Sequence, residues 1–499
     1  MSPVPLRLAV VVVLLGGVAA LGGSLDAPTA PAAEEPAQVP VVGAQAVCPD
    51  LRQVAGTTVS AVSVGVADVA GDDGAALDAV VTARPLGSVR TATPPVLPVP
   101  AEGAAAAALA QDVNGGALAV GATGADAAGL AVQQSALVQS PTVRGLATAS
   151  CPSPRTDAWL LGGGTRVGER STLVLANPDL QEAVVDVSAL SGEGPVDARP
   201  GRGITVPARG RTEVPLEELA PDRSRLAVRV QATRGRVSAV LRHERSDGVV
   251  PRGVAYAAPA GEPAEELVVP GMPAGPGGRS VWLVNPGEVD VTAEVEVTTS
   301  DGQFVPDGLS GLPVPAGSTV SADLSAVLGA TPAALRVRAS GPVLAVGVAE
   351  NAGAGDVRDV GLAGPAGPLG APVVLSDVVL GAVDTTVLLS ALTGDGVVEL
   401  AVLPVAGAVR VPAAPRRVEV PGGRTVAVRL ADLVPAGMVG RVAVQVRPDQ
   451  RAADVHVGAV DAATRAEGPL LALSTLTAPA TSVPQPVVVR DPAVGAGTR

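Results

Sequence analysis

One segment of this 499-residue chain recurs four times at a nearly constant spacing. Each copy carries a Val-Pro pair, which begins at positions 99, 206, 314 and 420, so the steps are 107, 108 and 106. An alternating segment follows each copy, at 117–121, 226–231, 335–338 and 442–447. A fixed period of roughly 107 residues indicates tandem copies of one structural unit. Each unit is long enough to bury a core of its own.

Alternation between apolar and polar side chains indicates β strands within the units. It is clearest in residues 291–298 and returns in 425–430 and 441–447, with the period of two that a half-buried strand requires. Turn signals separate the strands, among them Asn177-Pro178 and Asn285-Pro286, which lie one period apart. This pattern predicts an all-β fold, a tandem array of four immunoglobulin-like β-sandwich units. The alternative is a β-propeller, since repeated β units also arrange radially.

The predicted boundaries follow the repeat. They are a hydrophobic segment at 1–25, a Pro/Ala-rich stalk at 26–46, β units at 47–150, 151–262, 263–370 and 371–475, and a disordered tail at 476–499. Gly/Pro-rich joins at 270–278 and 361–370 suggest units that are strung loosely in series.

The N-terminus has the pattern of an export signal. Arg7 precedes an apolar run that extends from Leu8 to Gly23, which is borderline for crossing a bilayer. We therefore expect a signal peptide or signal anchor, with cleavage left open. The rest of the chain is expected outside the cytoplasm, either anchored to the plasma membrane by this segment or secreted.

The two cysteines, Cys48 and Cys151, are each followed by proline and bracket the first unit. Two cysteines in an oxidising compartment predict one disulfide. The alternative is a pair of buried free thiols.

The charge of the chain argues against nucleic acid as a partner. The net charge is −13, the calculated pI is about 4.8, and all 35 basic residues are arginine. Phosphate contacts need clustered basic side chains, and the arginines are mostly single.

The residues that carry chemistry are sparse, so we predict no enzyme, no cofactor and no metal site. His243 and His456 are close to two periods apart, which places them on the same strand of different units, where they do not converge on one site. The absence of lysine excludes a Walker phosphate loop and a Schiff base. The acidic clusters fall in Gly/Pro/Ala-rich stretches, where solvated charge is expected; they are Asp72-Asp73, Glu262 with Glu265 and Glu266, and Asp356 with Asp359.

The region that joins the first two units concentrates the remaining unusual residues. Cys151, Trp159, the glycine cluster 162–164 and Arg166 lie within it. We expect this region to be an inter-domain joint held by the disulfide. The alternative is an interaction surface formed by Trp159, exposed ahead of the glycines, together with Arg166.

A resemblance rests on short motifs. They are the Cys-Pro pairs at Cys48 and Cys151, the run Cys151-Pro-x-Pro followed by Trp159-Leu-Leu-Gly162, and Leu173-Val-Leu-Ala-Asn-Pro178 with its later counterpart at 282–286. With the N-terminal segment, these motifs resemble a family of uncharacterised exported proteins from actinobacteria, catalogued as a domain of unknown function. The resemblance implies an envelope location and transfers no functional residues.

The sequence thus favours a non-enzymatic cell-envelope protein that acts as a structural or protein-interaction scaffold outside the membrane. The alternative is a module that binds glycan or cell wall, and an envelope hydrolase is the least favoured interpretation. The expected partner is an envelope protein or a cell-wall glycan.

Overall fold

The computed structural model describes residues 38–49, 51, 57–63, 80–87, 96–97, 106–111, 117–140, 143–353, 357–404, 414–436, 438–449, 454–478 and 482–484. The hydrophobic segment predicted at 1–25 lies outside them. In the described residues, no helix combines the length and apolarity that a membrane span requires. Contacts divide the chain into residues 1–39 with 482–499, and residues 40–481. In the first of these two groups of residues, the structure describes a pair of strands, β1 (Gln38–Pro40) and β35 (Ser482–Pro484).

The unit 40–481 consists of four consecutive strand sets. The first set contains β2 (Gly43–Cys48), β3 (Thr58–Ser63), β4 (Val80–Pro85), β5 (Val96–Leu97), β6 (Ala106–Gln111), β7 (Leu118–Thr123), β8 (Leu130–Gln139) and β9 (Arg144–Ser150). The second set contains β10 (Asp157–Gly163), β11 (Glu169–Asn177), β12 (Ala183–Ser191), β13 (Gly194–Val196), β14 (Ile204–Val206), β15 (Gly210–Pro215), β16 (Leu226–Arg234), β17 (Ser238–Asp247) and β18 (Val250–Ala257).

The third set contains β19 (Ala264–Met272), β20 (Arg279–Asn285), β21 (Val291–Thr298), β22 (Gln303–Phe304), β23 (Leu312–Val314), β24 (Ser318–Asp323), β25 (Ala333–Ala352) and β26 (Arg358–Ala363). The fourth set contains β27 (Val373–Leu380), β28 (Asp384–Ala391), β29 (Gly396–Pro404), β30 (Arg416–Val420), β31 (Arg424–Arg429), β32 (Gly440–Pro448), β33 (Val455–Arg465) and β34 (Gly468–Leu476). A single α-helical turn, α1 (Leu216–Leu219), and three short 3₁₀ turns complete the described elements.

The same pairing order recurs in all four sets. The first set forms the sheets β2-β7-β4-β5 and β6-β3-β8-β9, and the fourth set forms β27-β32-β29-β30 and β31-β28-β33-β34. The second set repeats this order with β10-β16-β12-β14 and β15-β11-β17-β18. In the third set, β25 serves both sheets, pairing β19 and β21 through its first half and β20 and β26 through its second.

The mostly-β prediction is confirmed. The described strands form several antiparallel sheets, none of which closes on itself, with one parallel bridge between Ser191 and Ser318. The valine of the Val-Pro repeat ends the same strand in the second, third and fourth sets, which is β14, β23 or β30, and the first copy lies outside the described residues. Each set contains two sheets, whereas a propeller blade is one.

The predicted Asn-Pro turns are built identically in the second and third sets. The Asn177 amide donates to the carbonyls of Gln181 and Val206, and its oxygen accepts from the backbone of Asp179. Asn285 makes the equivalent three bonds one period later. An Asx side chain that replaces backbone partners in this way fixes a tight turn.

The loose joins predicted from glycine and proline are wrong. Residues 270–272 end β19 and residues 361–363 end β26, so both stretches begin within strands. Their glycines allow close backbone approach: a Cβ on Gly458 would lie 2.6 Å from the Cα of Gly271. The residues predicted as a stalk also contain β1 and the start of β2.

Candidate functional site

The last strand of each set, which forms the edge of its sheet, meets the other three in a single junction. These strands are β9, β18, β26 and β34, and each contacts its two neighbours in cyclic order. Because each set spans about one period of the repeat, the junction brings together residues from most of the chain. We describe this junction as the candidate site because it is where all four sets converge.

Asp359 lies at the centre of the junction with no exposed surface. Its Oδ2 accepts the backbone N–H groups of Leu146 at 2.8 Å and Leu471 at 2.9 Å. Its Oδ1 accepts the N–H of Val254 at 3.3 Å and that of the next residue, Val360, at 2.9 Å. One carboxylate of the third set thus holds the backbones of the other three.

The repeat explains how this carboxylate fits. Asp359 follows Arg358 in β26, and the corresponding residues after Arg144 and Arg252 are Gly145 and Gly253. A Cβ on Gly145 would lie 2.5 Å from Asp359 Oδ1, and a Cβ on Gly253 would lie 2.6 Å from the nitrogen of Val360. The two glycines therefore provide the space that the third copy fills with a carboxylate.

Gly253→Ala should lower the free energy of unfolding by about 2–4 kcal/mol, because backbone strain and overpacking add. Gly253 has a φ of +120° and no room for a methyl group. The matched control is Gly194→Ala, where φ is +107° but nothing lies within 4 Å, so only the strain, about 1–2 kcal/mol, is expected. Denaturant unfolding monitored by circular dichroism measures both. Equal losses would mean that the junction tolerates the added atom.

Burial raises the pKa of Asp359 to about 7, against four backbone N–H bonds that favour the ionised form. The unfolded state ionises near the usual aspartate value, so the folded state holds its proton to higher pH. The contribution of Asp359 to stability is therefore fully present below about pH 4 and is lost as the pH rises through about 7.

We expect the difference in unfolding free energy between the wild type and Asp359→Asn to change by about 2–4 kcal/mol from pH 4 to pH 8, in the direction of a less stable wild type at pH 8. The difference matters because other buried groups titrate as well: burial also raises the pKa of Asp461 to about 6. A difference that does not vary with pH would show that Asp359 ionises normally in the folded protein.

A second buried carboxylate joins the first and fourth sets. Asp377 accepts hydrogen bonds from Ser60 at 3.0 Å and from Ser135, both in the first set, and forms an ion pair with Arg441. Its side chain has no exposed surface. The arginine compensates the buried charge.

A cavity of about 270 Å³ lies where the four junction strands end and the chain crosses into the next set. Residues of all four sets line it, and Cys151 forms part of its wall. No charged side chain of the described residues lines it; its polar lining consists of Gln133, Thr148, Ser150, Tyr256, Ser376, Ser474, Thr475 and Thr477. The exposed side chains of Ser150 and Thr477 show that it reaches the surface.

A charged cluster lies at the opposite end of the junction, where β26 begins. Arg358 and Arg245 both form ion pairs with Glu350, which links the second and third sets. Burial acts to raise the pKa of Glu350, but the two arginines outweigh it and hold the pKa below its usual value. A shallow groove runs beside this cluster, and Arg166 lines it.

The predicted disulfide is confirmed: Cys48 and Cys151 are bonded. The bond ties the end of β2 to the residue that follows β9, closing the first set. Both cysteines are buried, so the bond is part of the core of this set.

The alternative in which Trp159 is exposed is wrong. Its side chain is 8% exposed and belongs to the core of the second set. The guanidinium of Arg229, held by Asp157, lies 5.5 Å from the ring centre. Residues 162–163, which suggested a loop after Trp159, instead end β10, and a strand interior buries the ring.

Arg166 is exposed and pairs with Glu193 at 3.0 Å. It does not lie beside Trp159 in a shared surface, because the ring faces the core. Its part in an interaction remains a prediction.

The two histidines lie on β17 and β33, the same strand of the second and fourth sets, and both are buried. His243 Nδ1 lies 3.0 Å from Ser171 Oγ. That hydroxyl donates to the carbonyl of Gly164 and accepts from its N–H, so its hydrogen is not directed at the histidine. Burial, with a smaller effect from Arg245, lowers the pKa of His243 to about 3. The pair is a core hydrogen bond between neutral groups.

The acidic clusters divide into three cases. Asp72-Asp73 and Asp356 lie outside the described residues. Glu262, Glu265 and Glu266 are exposed. Asp359, expected in a solvated loop, is instead buried in β26. Within the described ranges, no three His, Cys, Asp or Glu side chains are arranged to hold a metal ion.

Sequence reasoning missed both Asp359 and the cavity. The available signal was the alignment of Arg358-Asp359 with Arg144-Gly145 and Arg252-Gly253, in which one repeat replaces glycine by an acid. An acid at a position that other copies keep free of side-chain atoms is unusual, but only the packing of the sets reveals its partners.

Comparison with known proteins gives one finding. Residues 99–431 match the model of a family described as a family of unknown function, DUF5719. The match covers more than half of the chain, from the first strand set into the fourth. No curated protein matches the chain.

Proposed function

We propose that this protein, which belongs to the DUF5719 family of unknown function, is a non-enzymatic scaffold of the cell envelope. In this proposal each strand set is one immunoglobulin-like unit, and the four units together present surfaces to an envelope protein. The N-terminal segment exports the chain and either anchors it to the plasma membrane or is removed.

The observation that carries the proposal is the junction at Asp359. A carboxylate that accepts backbone N–H groups from three other sets fixes those sets relative to one another. Buried N–H groups that lose their acceptor cost free energy. Such a junction suits a protein whose outer turns must keep fixed positions, which is what a scaffold requires.

The outer turns offer contact points. Leu180 and Val289, which are 71% and 74% exposed, follow the equivalent Asn-Pro turns of the second and third sets. Val167 and Val249 are exposed at the charged end of the second set. Single apolar residues of this kind are common on surfaces, so they serve here as places to install probes.

The test is photo-crosslinking in the intact envelope. A photoreactive residue replaces Leu180, Val289 or Val249 in separate variants, and attached molecules are identified by mass spectrometry. The control places the same residue at Leu283, which is fully buried and reports background. A reproducible protein partner from the exposed positions supports the scaffold.

Two other outcomes would replace the proposal. Retention of the protein on purified wall polymer, without a protein partner, would favour the glycan-binding alternative. Cleavage of wall polymer by the purified protein would favour an envelope hydrolase. Location is tested separately, by fusing a reporter that is active only outside the cytoplasm to the C-terminus.

A further inference from the structure

The cavity at the end of the four junction strands is lined by two hydroxyl groups that have no hydrogen-bond partner among the described residues, those of Ser376 and Thr148. Ser376 is 1% exposed and Thr148 is 8% exposed, and both line the cavity. Neither hydroxyl makes a hydrogen bond within the part of the chain that the structure describes. Both residues line the cavity, and each hydroxyl keeps one donor and its acceptor sites for a molecule that enters the cavity.

The backbone around Ser376 is irregular in a way that directs it there. The pairing of β27 with β32 shifts register between Leu375 and Val378. Bulges of this kind redirect side chains and are frequent next to binding sites. The bulge turns Asp377 to the first set, while Ser376 lines the cavity.

A third hydroxyl of the lining, that of Ser474, accepts a hydrogen bond from the amide of Gln133. Gln133 donates from Nε2 to Ser474 Oγ at 3.2 Å across the boundary between the first and fourth sets. Because this oxygen accepts from Gln133, its own hydrogen is free to be donated. Ser474 and Gln133 are both buried and line the cavity.

The walls between these groups are apolar and uncharged. Leu362, Leu473 and Val346 contribute, and no described lining residue carries a charge. A charged ligand would be desolvated here without a compensating partner, which is costly. A ligand that fits must be neutral, bear several hydroxyl or amide groups, and present apolar C–H surface to the walls.

The volume sets the size. A cavity of about 270 Å³ is at the small end of ligand sites and matches one sugar ring. We propose that this cavity binds one uncharged sugar ring through the hydroxyls of Thr148, Ser376 and Ser474. A free monosaccharide and the end of a glycan chain share this chemistry. The inference does not depend on the scaffold role, because it rests on the lining of the cavity alone.

The experiment is ligand-observed NMR with the purified full-length protein. The neutral probes are glucose, galactose, mannose and N-acetylglucosamine; the charged counterparts are glucuronic acid and glucosamine. We expect at least one neutral sugar to bind and its charged counterpart to bind at least about tenfold more weakly. Neutral oligosaccharides in a parallel arm distinguish a glycan end from a free sugar.

Three variants locate the binding. Ser376→Ala and Thr148→Val each remove one hydroxyl and should weaken binding about 2- to 10-fold. Gly364→Val should abolish it, since a Cβ there meets only Thr475 Oγ1 at 3.9 Å and the larger side chain extends into the cavity. The control, Ser246→Ala, removes a hydroxyl from the charged groove near the other end of β18 and should change nothing. Thermal unfolding of each variant confirms that it is folded.

The proposal is overturned if no neutral sugar binds, if the charged counterparts bind equally well, or if affinity is unchanged in all three cavity variants. Binding of an uncharged capped peptide in place of sugar would also overturn it and would identify the cavity as a peptide site.

Discussion

Replacing Asp359 by alanine should lower the free energy of unfolding by about 3–6 kcal/mol, since each buried group left unsatisfied costs about 1–3 kcal/mol. The change leaves four buried N–H groups without their acceptor, those of Leu146, Val254 and Leu471 from three other strand sets and that of Val360. Relief of the buried negative charge offsets part of this loss, so the expected value lies below the simple sum.

The measurement is chemical denaturation monitored by circular dichroism, with the midpoint and slope compared between variants. The free energy of unfolding of Asp359→Asn should lie between those of the wild type and the alanine variant. The amide keeps one oxygen that accepts hydrogen bonds, but it places an NH₂ group opposite the other N–H donors. A change in slope for Asp359→Ala would indicate that the four sets no longer unfold together.

The matched control is Asp290→Ala. Asp290 also accepts one backbone N–H, that of Ala316 at 2.8 Å, but the bond is exposed and lies within one strand set. Water replaces an exposed partner, so a loss below about 1 kcal/mol is expected. If both variants lost the same stability, the junction would not be the main link between the sets.

The contrast between these two aspartates shows what the sequence could predict. Strands and turns depend on neighbours along the chain, so the alternation in 291–298 and the Asn-Pro pairs predict them correctly. The role of Asp359 depends on Leu146 and Leu471, which are more than a hundred residues away in opposite directions. Both Asp290 and Asp359 are preceded by a short stretch that contains glycine, an acid and valine, and no local pattern separates an exposed turn acid from a buried one.

The prediction from the glycines is wrong for a related reason. A run of glycine and proline predicts a flexible linker when backbone freedom is its only use. Gly271 and Gly361 instead permit close packing: a Cβ on Gly361 would lie 2.6 Å from Leu473 of the fourth set. Because glycine has no side chain, it permits either a flexible backbone or a close packing contact. Which of the two occurs depends on the residues that surround it in the folded structure.

The disulfide, in contrast, could be predicted from the sequence, because two cysteines allow only one pairing.

Replacing both Cys48 and Cys151 by alanine should destabilise the protein by about 4–5 kcal/mol. The bond closes a loop with a sequence separation of 103 residues, and a crosslink over about 100 residues restricts the unfolded chain by about 4.7 kcal/mol at 25 °C in the chain-entropy model. Loss of two buried sulfur atoms adds a packing cost.

Two comparisons separate the crosslink from the packing. The wild type that is unfolded and refolded under a thiol reductant keeps both sulfur atoms and loses only the bond. It should therefore be more stable than the alanine variant, but by no more than the packing cost. In the oxidised wild type the bond constrains the first strand set alone, so Asp359→Ala should cost as much in the oxidised as in the reduced protein. Strong coupling between the two changes would instead show that the first set must be closed by its disulfide before β9 can present Leu146 to the junction.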